Sequence, residues 1–161
     1  MMATQARQFA IVLERIGHGV LAQLQSLPDT RLNQQLSLPE TNSLFALATH
    51  LVGMSEFWVL ALVGRQQLHR DRSAEFQATG TAGELIQRYT QWLKDMHEVL
   101  DALPDPMMEQ LVDPPLEYRD TGGLADGPVT VQDCLLHTVE HSALHLGHIQ
   151  LTRQLLLSES E

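Results

Sequence analysis

At 161 residues the chain has the length of one ordinary domain and enough material to bury a core without disulfides. Ten basic against twenty acidic residues give a formal net charge of −10, which repels a phosphate backbone and excludes nucleic acid as an expected partner. With 43% apolar but only 5% aromatic residues, the composition favours helices packed through aliphatic seams over a β design, so the expected class is all-α.

Four segments carry apolar residues at helical spacing. The first runs from about Thr4 to Leu27 and stops at Pro28-Asp29, with Phe9, Val12, Leu13, Ile16, Val20 and Leu24 as its buried stripe. The second is expected from about Leu38 to Gly64. It is opened by Ser37-Leu-Pro-Glu40, which has the form of a capping box with proline in the first turn. Within it, Leu44 to Val63 approaches membrane-spanning length, but His50, Ser55 and Glu56 are each costly in lipid, and no membrane span is expected. A linker follows from Arg65 to Gly80. Its His69-Arg-Asp-Arg72 segment offers two cations to an anionic substrate, although a solvated loop is the simpler reading. The third helix is expected from Thr81, within a Thr81-Ala-Gly-Glu84 capping box, to Leu103 before Pro104-Asp-Pro106. A second linker, Pro104 to Pro128, contains Asp113-Pro-Pro115 and Thr121-Gly-Gly123; loops of this length often cap a functional site. The fourth helix starts near Thr130, with Asp133 in its first turn, and reaches about Leu157. The whole reads as a single domain, residues 1–161, built as a four-helix bundle with one long crossover. A lone cysteine, Cys134, and no uninterrupted apolar signal segment at the N-terminus imply a cytoplasmic location.

Chemistry concentrates in the fourth segment, where His137, His141, His145 and His148 fall within one twelve-residue stretch. At about 100° per residue His137, His145, His148, Cys134 and Thr152 all project within about 40° of His141, a stripe expected to face the bundle interior. Burying several imidazoles is costly unless each finds a partner, and a cation supplies partners for two or three at once. One helix cannot bring positions i, i+4 and i+8 to one ion, since the outer two are about 12 Å apart along the axis. Two adjacent members can, and a third ligand must come from elsewhere. His50, flanked by the small residues Ala46 and Gly53, is the interior histidine of the second segment and leaves room for an ion and a substrate. Three neutral imidazoles with an open fourth position suit a catalytic transition metal better than a structural one.

Asn42-Ser-Leu-Phe-Ala-Leu-Ala-Thr-His50-Leu with Glu56-Phe-Trp58 following, and His137-Thr-Val-Glu-His141-Ser-Ala-Leu-His145-Leu-Gly147, resemble the DinB-like (YfiT-like) metalloenzyme superfamily, which includes mycothiol- and bacillithiol-dependent S-transferases. The resemblance implies that His50, His141 and His145 bind one divalent metal, zinc or nickel; iron is kept as a further option. The resemblance also implies an up-down-down-up bundle and frequent homodimers. His148 departs from the glutamine usual after the glycine. His137 is the candidate catalytic residue, placed to orient a ligand or take a proton from substrate, with packing beside the site as the simpler role. Three functions remain open: transfer of a low-molecular-weight thiol to a small-molecule electrophile, metal-dependent hydrolysis, and a non-catalytic metal-binding or interaction bundle.

Overall fold

The computed structural model describes residues 4–119 and 127–158. It is mostly helical. The long helices are α1 (Gln5–Leu24), α3 (Leu44–Ser55, continued as a π-helix over Glu56–Val63), α5 (Ala82–Asp101) and α7 (Val131–Ser158). Shorter pieces join them: α2 (Asp29–Leu32), α4 (Arg72–Gln77), a 3₁₀ turn over Asp105–Glu109, β1 (Leu111–Val112), α6 (Leu116–Arg119) and β2 (Val129–Thr130). α1 packs against α5 and α7, and α3 against the same two, so the four long helices share one core.

Local chemistry sets the helix starts. Thr4 caps α1, its hydroxyl accepting from the Arg7 amide. Thr81 and Glu84 form the expected capping box on α5. Thr130 and Asp133 cap α7 reciprocally: Asp133 Oδ2 accepts from the Thr130 amide at 2.9 Å, and Thr130 Oγ1 accepts from the Asp133 amide at 3.0 Å. The second helix corrects its expectation. It begins at Leu44, capped by Ser43, whose hydroxyl accepts from the Ala46 amide at 3.1 Å. Ser37-Leu-Pro-Glu40 is a turn instead, because Glu40 adopts φ 58°, incompatible with a right-handed first turn. α1 ends at Leu24 for a similar reason, as Ser26 takes φ 64°.

Every residue of α3 is buried, as expected of a helix apolar on all sides. This stretch, Leu44–Val63, is apolar enough to cross a membrane, but it is enclosed by its own helices like the core helix of a soluble protein. Two polar contacts fix it: the Tyr89 hydroxyl donates to the Ala48 carbonyl at 2.8 Å, and Ser55 and Ser142 share a hydrogen bond at 3.3 Å across to α7. The second linker folds back as well. β1 and β2 pair antiparallel, Leu111 with Thr130 and Val112 with Val129, and so return the chain to the start of α7. Thr121-Gly-Gly123 lies outside the described residues.

Candidate metal centre

The chain brings His50 of α3 against His141 and His145 of α7, so that three ring nitrogens, one from each, lie within 4.8 Å of one another. His50 Nε2 and His141 Nε2 are 3.3 Å apart. Two ligands bonded at 2.0–2.1 Å with a tetrahedral angle between them sit about 3.3–3.4 Å apart, so this pair already has the separation of two corners of a zinc-like coordination shell. His145 supplies a second sign of fit, since among the described residues its buried Nδ1 has no hydrogen-bond partner. A bound cation would order such a ring through the one lone pair that a neutral imidazole offers.

The orientation of His50 is set from behind. Its Nδ1–H donates to Glu75 Oε2 at 2.8 Å, which leaves the lone pair on Nε2 facing His141. Glu75 is buried on α4 and is itself held by Arg70, with Nε donating to Oε1 at 2.7 Å and a terminal nitrogen to Oε2 at 2.9 Å. Burial pushes the Glu75 carboxyl up, but the hydrogen bonds from His50 and Arg70 outweigh it and hold the group below its ordinary range. The Arg70 guanidinium stacks 5.1 Å from the ring centroid of Tyr118 and 5.8 Å from that of Phe57. On the other face of His50 the Phe76 ring lies stacked at 4.3 Å.

Burial first, then the neighbouring histidines, depresses both α7 imidazoles. His141 falls to about 4 and His145 to about 3, so both are neutral, ligand-competent bases at physiological pH. His137 is buried beside His141, with ring centroids 5.3 Å apart, and meets the Trp58 indole edge-on at 4.7 Å. His50, His141, His137, Met54, Trp58, Arg70 and Arg72 surround a chamber of about 20 Å³. On the other side of the triad His145 borders an apolar groove of about 440 Å³ between Leu36, Leu47, Phe76 and Leu155.

Several sequence expectations change here. Gly53 does leave room, but Glu75 occupies it: a Cβ at residue 53 would collide with Glu75 Oε1. His148 does not join the buried stripe, being exposed at the rim of the groove. Cys134 is buried and its thiol is pushed up to about 12, so it serves as a small apolar side chain. Glu75 and Phe76 carry no site expectation from the sequence, and Arg70, expected only as one of two linker cations open to an anionic substrate, is instead bound to Glu75. The signal for Glu75 and Phe76 was faint, a short helix in the first linker capped by Asp71, whose Oδ1 accepts from the Ala74 amide at 3.0 Å.

Residues 13–149 match the DinB superfamily. The chain belongs to that superfamily. The fold agrees, for a DinB-like protein from Bacillus cereus superposes with TM-score 0.70 at 17% identity, covering 96% of this chain and 93% of its own. A conserved protein from Enterococcus faecalis superposes with TM-score 0.74 at 14% identity, covering 98% and 99%. A search of curated proteins returns no match. This DinB-superfamily chain thus carries a histidine triad that could hold a metal, in a fold shared with both structures.

Proposed function

We propose that the chain binds one divalent transition metal through His50, His141 and His145 and works as a metal-dependent enzyme, most concretely a transferase that passes a low-molecular-weight thiol to a small electrophile. The observation that carries this reading is the 3.3 Å separation of His50 Nε2 and His141 Nε2, with Glu75 fixing the His50 tautomer behind them. An all-imidazole donor set suits zinc or nickel, with iron a further option. A bound ion supplies Lewis acidity, which lowers the pKa of a thiol or a water at the remaining position.

The protein's own groups divide the rest of the work. Glu75 and Arg70 keep the triad oriented, the apolar groove beside His145 offers space for a small substrate, and His137 is assigned to take up the proton released in the chamber. Hydrolysis is the second reading. It is favoured by the chamber's volume of about 20 Å³, which is enough for one water molecule beside His137.

The same proposal includes a single domain with its long helices running up-down-down-up, and a homodimer formed through the exposed apolar face of α7, where Leu136, Leu144 and Leu151 are each at least half exposed. It also includes a cytoplasmic location, in keeping with one buried cysteine and no disulfide.

The test is metal analysis by plasma mass spectrometry of untagged protein and of the His50→Ala, His141→Ala and His145→Ala variants. About one ion per chain in the parent, lost in each variant, supports the triad and justifies assaying thiol transfer. A parent that takes up no metal after incubation with zinc, nickel or iron sinks the metalloenzyme reading and leaves a helical interaction bundle.

A further inference from the structure

We propose that Arg72 recognises a carboxylate on the molecule delivered to the histidine triad. The inference deepens the proposed function and rests on it, because it names a chemical feature of the substrate at that same site. In a chain of net charge −10, the chamber beside the triad has two arginines in its wall, Arg70 and Arg72. A second, outer pocket of about 340 Å³ shares both arginines and adds His69, Asp71, Ser73, Glu117 and Tyr118.

The two arginines are not equivalent. Arg70 is committed, since it donates to both oxygens of the buried Glu75 carboxylate. Asp71, between them in sequence, is turned to cap α4. Among the described residues Arg72 makes no hydrogen bond and no ion pair. Its one directed contact is the face of Phe76, with Cζ 5.3 Å from the ring centroid, and Phe76 is itself stacked on His50. The order is therefore guanidinium, phenyl ring, imidazole, and the stack carries an exposed cation to the edge of the triad. A guanidinium resting on an aromatic face keeps its in-plane N–H fork free for a planar acceptor.

Charge supports the same reading. Arg72 lines the same chamber as His50 and His141, so its charge lies beside the triad. An anion lodged between the Arg72 guanidinium and a divalent cation at the triad would be attracted by both charges. One free fork matches one carboxylate, which it can bind through two parallel hydrogen bonds. A phosphate dianion would bring surplus negative charge into a pocket that already contains Glu117 and Asp71. The volume suits a small organic acid.

The experiment loads the protein with cobalt(II), measures cobalt per chain, and then follows the visible cobalt absorption during titration with two thiols of similar size, 3-mercaptopropionate and 2-mercaptoethanol. The expected result is a preference of about tenfold for the carboxylate-bearing thiol in the parent, the scale of one charge-assisted contact. That preference should vanish in Arg72→Gln and pass to the amine-bearing cysteamine in Arg72→Glu. Equal affinities in the parent, binding of neither thiol, or a preference that survives Arg72→Gln overturns the assignment. A protein that takes up no cobalt fails one step earlier, at the metal itself, and the inference falls with it.

Discussion

The ring of His50 has two nitrogens, and its use as a ligand depends on which one carries the proton. Glu75 makes that choice by accepting from Nδ1, and Arg70 keeps Glu75 ionised in a buried place. Removing the carboxylate should therefore do two separable things. Glu75→Ala leaves Arg70, 7% exposed, without its counter-charge, and should cost about 3 kcal/mol in urea unfolding. It should also weaken metal binding 10- to 100-fold in chelator competition, the usual cost of losing a carboxylate behind a ligand histidine. Adding Arg70→Met should restore most of the stability and none of the affinity. The α7 imidazoles make a pH prediction for the metal-free protein. Their folded pKa values, about 4 and about 3, lie below the ordinary 6.5, so the unfolded chain binds more protons through that window. Stability is fully present above about pH 6.5 and falls as pH drops toward 4, by on the order of 2 kcal/mol for each ring. Urea midpoints that stay level between pH 7 and 4.5 would contradict this. The histidines were legible in the sequence because interior imidazoles at helical spacing demand a partner. Glu75 was not, because an acid in a linker is ordinarily solvated, and only the packing of α4 over Gly53 buries it.

Helix caps were the most readable features at the scale of elements. Thr81-Ala-Gly-Glu84 and the Thr130–Asp133 pair act as their residue types suggest. Ser37-Leu-Pro-Glu40 has the same form and fails, because a capping box requires helical angles in the residues that follow, and Glu40 does not adopt them. The π-helical course of Glu56–Val63 had no sequence signal, since its apolar composition fits α and π geometry alike. Element packing also makes Gly53 a joint: α4 docks on α3 where the side chain is missing. Gly53→Ala should displace the Glu75 carboxylate and weaken metal binding by about tenfold. Global stability should change little, because the helix gains about 1 kcal/mol of intrinsic propensity to set against the clash. Circular dichroism alongside metal competition checks both halves, and unchanged affinity would show that Glu75 does not depend on the gap.

The all-α class and the four long segments were evident from periodicity and composition, whereas the return of the second linker through β1 and β2 depends on two-residue pairings too short to leave a pattern. The exposed face of α7 gives the prediction for the whole molecule. If Leu136, Leu144 and Leu151 bury one another across a two-fold axis, Leu144→Glu should shift the mass seen by light scattering from twice the chain mass to the chain mass, with helix content retained. A parent already monomeric at micromolar concentration would refute the dimer. His50 and His141 are 91 residues apart in the chain, and each belongs to a different pair of helix neighbours. No local fragment can assemble the triad, so an ion has nowhere to settle until the two halves of the chain have met. Metal uptake should then lag behind helix formation during refolding, and a cobalt signal would time the docking of α7 onto α3 as a late, long-range event distinct from the early local turns.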